Sequence, residues 1–326
     1  MLFLEQSKLR GKVRDHLVFI LTLKERRRLA KGVVMPTIAV TGATGNLGGL
    51  VIDHLLEGGF PADEVMPLVR AASKGERFAA RGMSPRVASY DDPEGFARAI
   101  DGVDKLVLIS PPSLDNAVRL HQLHGAVMAA HGGHLTQLAF VSFSDAEKRP
   151  FGLEDVDLAI EHSIRAAGIA FTFLRNSVYL EELAPELTVA VESGQLLSAT
   201  ENRAMNWAPR VSQAAAIAAA VTQDGHIGST YNLVSPTPYT YDDVAALLTE
   251  AVGRQITHRP ATPSEVDSAL VDGGIDPEHA HSVANDFHVA IARGKCHTTG
   301  NDIERLSGHS GGITADDIAA LVKGTA

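Results

Sequence analysis

Cysteine is almost absent from this sequence, since Cys296 stands alone among 326 residues. A single thiol excludes an internal disulfide framework and is typical of a protein from a reducing compartment. Long apolar runs are also missing, because no stretch approaches the ~20 residues needed to cross a bilayer. We therefore expect a cytoplasmic protein without a membrane span.

Positively charged residues are also fewer than negatively charged ones. The sequence has 29 Lys and Arg and 39 Asp and Glu, which gives a formal net charge of −10. This balance argues against nucleic acid as the main partner. Residues 1–34 depart from it, with nine Lys or Arg against three Asp or Glu, so this segment carries +6 and the remainder −16. We predict that residues 1–34 form a poorly ordered basic extension outside the fold. An amphipathic helix on a membrane surface is the alternative for it.

Glycine, by contrast, is concentrated in the stretch TGATGNLGG, residues 41–49. The stretch follows a short apolar run suited to a buried parallel strand, and it precedes apolar residues at helical spacing. In that context Gly42 suits a tight turn, Gly45 a close approach of backbone to a pyrophosphate, and Gly48 close helix–strand packing. The helix N-terminus adds free N–H groups, so Thr44, Asn46 and Leu47 join the predicted phosphate contacts. A glycine-rich surface loop is the alternative, but it would not need the flanking strand and helix.

Strand and helix patterns alternate after this turn. Strands are predicted at 38–40, 65–69, 86–88, 105–110, 138–142, 171–174 and 231–234. Helices are predicted near 93–101, 115–130, 155–167, 212–221, 241–253, 263–271 and 314–323. Repeated βα units of this length predict an α/β fold with a doubly wound parallel sheet.

Several phrases outside the glycine turn carry a family resemblance: KLVLIS (105–110), GIAFTFLRNSVYLEEL (168–183) and DIERLSGHSGGITADDIAAL (302–321). Together they resemble the NmrA-like branch of the atypical short-chain dehydrogenase/reductases, and within it the type 2 NAD(P)H:quinone oxidoreductases. The resemblance covers roughly residues 36–324. It implies a Rossmann domain over 35–180, which segments near 204–236 rejoin, and a smaller α/β domain over 181–326 that closes a substrate cleft.

The resemblance also implies an activity, namely hydride transfer from NADPH to a quinone or a similar planar acceptor. An NADP(H)-binding redox sensor without turnover is the first alternative. A biosynthetic reductase or epimerase with a different substrate is the second. Whether the chain forms a homodimer stays open at this point.

The acid–base pair of most short-chain dehydrogenases, Tyr-x-x-x-Lys, is missing. None of the five tyrosines has a lysine four positions later, and no lysine occurs between Lys148 and Lys295. Many NmrA-like proteins carry a lysine on the helix after the fifth strand, where this chain has Glu161 and His162. A histidine can relay a proton near neutral pH, which is the alternative for His162. We interpret His162 instead as a solvent-facing residue, so the catalytic residue stays unassigned. Ser89 likewise stands where related proteins often have an aspartate for the adenine.

The remaining predicted site residues lie where strands end, because open α/β sheets bind ligands at the carboxyl edge. Ser110, Pro111 and Ser142 are placed beside the cofactor. In LRNSVY, the amide of Asn176 suits a carboxamide or a substrate carbonyl. Phe143 and Tyr179 could stack on a flat ring.

The nucleotide preference is predicted from the end of the second strand. NAD-selecting sites place Asp or Glu there, whereas this strand ends in Arg70, with Lys74 and Arg77 following. A guanidinium suits a 2′-phosphate, so we predict NADP(H) as cofactor.

Two groups of histidines are candidates for a metal site. The first comprises His121, His124, His131 and His134, and the second comprises His279, His281, His288 and His297 with Cys296. Zinc sites draw their ligands from separate elements with suitable Cys or carboxylate partners, which the first group lacks. We predict surface histidines in both groups and no metal.

Overall fold

The computed structural model describes residues 35–148 and 150–324. The predicted basic extension therefore lies outside the described residues. Within the described ranges, no helix is both long and apolar enough to cross a membrane.

Two parallel sheets organise the part of the chain that the structure describes. The strands are β1 Ile38–Val40, β2 Val65–Val69, β3 Arg86–Val87, β4 Lys105–Ile109, β5 Gln137–Phe143, β6 Phe171–Asn176, β7 Gln195–Ser198, β8 Ser229–Leu233 and β9 Thr257–Pro260. Seven of them form the main sheet in the order β3-β2-β1-β4-β5-β6-β8, and β7 pairs with β9. The strand order reverses between β1 and β4, which opens a crevice at their carboxyl ends. The predicted doubly wound α/β fold is confirmed.

Helices cover the main sheet and build the rest of the chain. They are α1 Asn46–Glu57, α2 Ala72–Ala79, α3 Pro93–Ala99, α4 Asn116–His131, α5 Glu154–Ala166, α6 Ala184–Ser193, α7 Arg210–Thr222, α8 Tyr241–Val252, α9 Pro263–Asp272, α10 Pro277–Ser282, α11 His288–Ala292, α12 Asp302–Ser307 and α13 Ala315–Val322. A π-helical segment, Val283–Phe287, joins α10 to α11.

Apolar cores lie on both faces of the main sheet. One core joins the sheet to α1 and α7, with Val51 and Ile217 fully buried in it. The other joins the sheet to α3, α4 and α5, with Leu123 and Ile160 fully buried. Because both faces are covered, β1 and β2 are buried at every residue, which explains their continuous apolar sequences.

A third core lies mainly among the residues from 180 onward and includes Leu183, Trp207 and Leu248. Helices α6, α8 and α13 contribute buried side chains to this core. Strand β8 nevertheless pairs with β6 of the main sheet, and α7 packs on α1. The division into two domains at residue 181 stays a prediction.

The third core contains a buried polar cluster that corrects one prediction. His288 is fully buried, although we predicted a surface histidine. Its Nδ1 accepts the Ala199 N–H at 3.1 Å, so the proton resides on Nε2, which lies 3.0 Å from Glu186 and 2.7 Å from the Tyr241 hydroxyl. The prediction failed because the three partners come from segments far apart in the chain. Cys296 is buried as well, and burial raises the pKa of its thiol to about 12.

Tyr241→Phe tests how much this cluster contributes to the free energy of unfolding. The Tyr241 hydroxyl donates to Glu186 at 3.1 Å, and burial followed by the Glu186 charge raises the tyrosine pKa well above its usual value. Removing the hydroxyl leaves a buried carboxylate short of a donor, so we expect to lose about 1–3 kcal/mol of the free energy of unfolding. Urea denaturation measures the loss.

Tyr231→Phe is the matched control, because its hydroxyl contacts the ring of the partly exposed His226 and not a buried carboxylate. A loss for Tyr241→Phe no larger than that of the control would contradict the assigned role of the cluster.

Candidate cofactor and substrate cleft

The glycine turn has the local geometry that its sequence predicts. Gly42 has φ +59°, a conformation that favours glycine. The Gly45 N–H donates to the Gly42 carbonyl at 2.9 Å, which closes the turn before α1. A Cβ on Gly48 would lie 2.3 Å from the Gly42 carbonyl oxygen, so only glycine allows α1 to pack this close to the turn.

The outer side of the turn borders a cavity of about 460 Å³. Thr44, Gly45 and Asn46 line it, and they lie exposed. The side chain of Leu47 is buried in the core instead, so that residue can reach a ligand only through its backbone. Gly45 provides no side-chain cap to α1, which leaves its first turn open to an anion.

Three arginines on the wall of this cavity were not predicted as a group: Arg77, Arg81 and Arg210. Arg81 is paired with Asp53 at 2.6 Å, and Arg210 contacts Glu182 at 3.2 Å. Arg77 donates to the Ala43 carbonyl at 3.4 Å. Arg70 is exposed at the end of β2 and does not line this cavity. Its predicted contact with a phosphate stays a prediction.

A larger cavity, about 580 Å³, lies at the carboxyl ends of β4, β5 and β6. The structure brings five of the predicted residues into its lining: Ser110, Ser142, Phe143, Asn176 and Tyr179. Ile109 also lines it, and a Cβ on Gly42 would lie 3.8 Å from the Ile109 side chain. The cavity therefore opens beside the glycine turn. Pro111 is buried and is not part of the lining.

Two polar atoms in this cavity lack a partner. Ser142 Oγ and Asn176 Oδ1 are buried, and no described residue hydrogen-bonds either of them. The two residues lie on the neighbouring strands β5 and β6, one position apart in register, since Ser142 pairs with Arg175 and Phe143 with Asn176. A buried acceptor without a hydrogen bond destabilises the folded protein, because its desolvation is not offset. A ligand that carries an amide or hydroxyl donor would therefore fit beside these atoms. The nicotinamide carboxamide has such a group.

Aromatic rings form one wall of the same cavity. Phe143 meets Phe151 edge-on at 5.8 Å between ring centroids, and Phe151 stacks on Phe287 at 5.7 Å. Tyr179 has the Arg210 guanidinium 4.4 Å above its ring, so one of its faces is already covered. Phe151 and Phe287 were not predicted as site residues. Phe287 ends the π-helical segment, and such segments are frequent at functional sites.

The cavity also contains a buried ion pair that the sequence did not reveal. Arg119 Nη2 lies 3.2 Å from both carboxylate oxygens of Asp157, and the Ser110 hydroxyl lies 3.3 Å from Asp157 Oδ1. Burial raises the pKa of Asp157 to about 6, although the Arg119 charge opposes the shift.

The two residues singled out on α5 lie elsewhere. His162 is exposed and its Nδ1 lies 2.6 Å from the Leu158 carbonyl of its own helix, as expected for a surface residue. Glu161 is fully buried and binds Arg175 through both oxygens, at 2.9 and 2.8 Å. Asp157, one turn earlier, is the α5 carboxylate that lines the cleft.

The other histidines singled out in the sequence are exposed, as predicted: His121, His124, His131, His134, His279, His281 and His297. Across the described part of the chain, no group of three or more His, Cys, Asp and Glu side chains is arranged to hold a metal ion.

The sheet order, the glycine turn and the adjoining cleft define an α/β protein of Rossmann type. Residues 35–295 match the model of the NmrA-like family. The chain belongs to this family, and the predicted resemblance is confirmed.

Relatives of known name extend the comparison. The chain is 31% identical to quinone oxidoreductase 2 of Escherichia coli K12 over 87% of its own length and 98% of the relative. It is 24% identical to the NAD(P)H azoreductase of Xenophilus azovorans over 77% of this chain and 86% of that one. The triphenylmethane reductase of Citrobacter sp., solved with NADP(H), is 34% identical with a TM-score of 0.81, covering 89% of this chain and all of the other.

Proposed function

We propose that this protein is an NADPH-dependent reductase that transfers hydride to a quinone or a similar planar acceptor. The observation that carries the proposal is the presence of two buried polar atoms without a hydrogen-bond partner among the described residues, Ser142 Oγ and Asn176 Oδ1, in a largely apolar cavity beside the glycine turn. Clefts with few polar groups in an apolar wall are typical of small-molecule sites. The named reductases among the relatives support an NAD(P)H-dependent oxidoreductase.

The chain's own residues would have distinct tasks in this reaction. The turn from Gly42 to Gly48 would hold the pyrophosphate at the N-terminus of α1. Ser142 and Asn176 would orient the carboxamide, and NADPH, when bound, would supply the hydride. Phe143, Phe151 and the facing π-helical segment would exclude water and provide aromatic surface for a flat acceptor.

A panel of quinones, azo dyes and triphenylmethane dyes tests this proposal. Purified protein is mixed with NADPH and each acceptor, and cofactor oxidation is followed by absorbance together with acceptor reduction. We expect acceptor-dependent NADPH oxidation with at least one planar class, at one NADPH per two-electron reduction. No oxidation with any acceptor, by protein that binds NADPH, would overturn the proposal.

An NADP(H) sensor without turnover is the second candidate. It is favoured by the cleft itself, whose described lining contains no lysine and no Tyr-x-x-x-Lys pair. Equal affinity for NADP⁺ and NADPH without turnover would support it. The cytoplasmic location remains a prediction of the sequence, and the homodimer remains open.

A further inference from the structure

We infer that Asp157 and Ser110 form a proton relay, in which the Asp157 carboxylic acid passes its proton through the Ser110 hydroxyl to an acceptor that has taken up hydride. This inference rests on the proposed function and names the proton source, which Tyr-x-x-x-Lys supplies in most short-chain dehydrogenases and which this chain lacks.

The geometry places the two groups in series. Ser110 follows the last residue of β4 and lines the larger cavity, where a substrate can contact its hydroxyl. Asp157 reaches the same cavity from α5 and is 4% exposed. The Ser110 hydroxyl donates to Asp157 Oδ1 at 3.3 Å, a long hydrogen bond of the kind that tightens when substrate binds. When Asp157 carries the proton the bond runs the other way, with Asp157 donating to Ser110, which frees the Ser110 proton for the acceptor.

The surroundings of Asp157 suit an acid that works near neutral pH. Arg119, from α4, is the cation in contact with it, and Glu154 is the carboxylate nearby on α5 itself. The other ionisable side chains that line the cavity are Tyr179, Glu182, His279 and Asp286. Burial favours the neutral acid and Arg119 favours the carboxylate, and the balance leaves the pKa of Asp157 at about 6.

The proton balance of the step closes without another reactant. Hydride adds two electrons and one hydrogen to the acceptor and leaves it as an anion, which takes the hydroxyl proton of Ser110. The Ser110 oxygen takes the proton of Asp157 as its own O–H bond breaks. Asp157 remains as a carboxylate beside Arg119 and regains a proton from water when the product leaves. Overall, NADPH, acceptor and one proton yield NADP⁺ and the reduced acceptor.

The relay predicts a pH dependence with a defined sign. The active form of Asp157 is the protonated one, so the rate is greatest below its pKa. Above pH 6 the protonated fraction falls about tenfold per pH unit, and the proton-transfer rate falls with it until water takes over as donor.

Ser110→Ala is the test variant, because it interrupts the relay and leaves the Arg119–Asp157 ion pair intact. Positioned acids contribute about 10²–10⁴-fold, so we expect kcat, measured at saturating NADPH, to fall by at least about 10²-fold. The fall of kcat between pH 6 and 8 should disappear, and Ser110→Thr should restore it. Ser113→Ala is the matched control, since that hydroxyl contacts the Asp115 N–H at 3.1 Å and not the cleft.

A second measurement does not depend on turnover. Carbon NMR of the aspartate carboxyl groups, with Asp157→Asn to assign the signal, should show Asp157 titrating near pH 6 in the protein alone. A purely structural ion pair would titrate at or below the usual range for aspartate, and that result overturns the relay. Wild type that reduces acceptors, with Ser110→Ala equally active and the same pH profile, overturns the relay alone. Wild type that oxidises no NADPH overturns the relay and the proposed function together.

Discussion

Gly45→Val is expected to abolish NADPH binding in a protein that still folds. The Gly45 backbone lies at φ −84° and ψ 172°, which valine adopts without strain. Its Cβ would lie 3.2 Å from the Gly42 carbonyl oxygen, a tight contact that a small shift can relieve. The γ-methyl groups, however, would fill the space through which backbone must approach the pyrophosphate. We expect the Kd to rise by at least about 100-fold, equivalent to roughly 2.7 kcal/mol.

Calorimetric titration with NADPH measures this loss, and circular dichroism confirms that the variant is folded. Gly132→Val is the matched control, because that glycine lies at the exposed end of α4 with φ −74° and with its nearest neighbour 3.7 Å from the added Cβ. Gly48→Ala should behave differently and destabilise the fold, since its Cβ would lie 2.3 Å from backbone. Undiminished NADPH affinity in folded Gly45→Val would mean that the turn holds something else.

Arg70→Glu is expected to remove the preference for NADPH over NADH. Arg70 is exposed directly after β2, where a guanidinium can make charge-assisted bonds to a 2′-phosphate. Such a bond contributes about 1.5–3 kcal/mol, so the wild type should prefer NADPH by roughly ten- to a hundredfold at low salt. In Arg70→Glu the carboxylate repels the phosphate and accepts from a 2′-hydroxyl, so the preference should vanish or reverse.

Dissociation constants of both nucleotides for both proteins measure this change. Lys74→Glu, an equal charge change at an exposed position on α2, is the matched control and should alter the preference less. Equal affinity of the wild type for NADPH and NADH, or an Arg70→Glu variant that changes neither, would contradict the assignment. A loss of preference in Arg77→Glu but not in Arg70→Glu would move the phosphate contact to the arginine beside the turn.

The strands of the main sheet could be predicted because their apolar sequences match their burial in the fold. Strands buried on both faces have continuous apolar sequences, and the seven predicted strands match the observed ones within two residues. Strands β7 and β9 were missed because they pair only with each other and stay partly exposed, so Thr257–Pro260 has no apolar pattern. Helix α2 was missed because only Gly75 and Phe78 of it are buried.

The candidate site was predictable only where it follows from sheet topology. Ser110, Ser142 and Asn176 lie at the ends of neighbouring parallel strands, so the fold alone brings them together. Asp157 and Phe287 could not be placed this way. Asp157 depends on the packing of α5 against α4, and Phe287 on a π-helical segment without a sequence signal.

A single-turnover experiment tests the central claim, hydride transfer to a planar acceptor, most directly. Protein loaded with one equivalent of NADPH is mixed in a stopped-flow instrument with an excess of a quinone, without oxygen. The proposed function predicts that NADPH absorbance decays in one phase whose amplitude equals the protein concentration, with one equivalent of hydroquinone formed. Gly45→Val should show no such phase. Persistent NADPH absorbance in wild type that demonstrably holds the nucleotide, with this quinone and with the dye acceptors, would contradict the claim and favour the sensor.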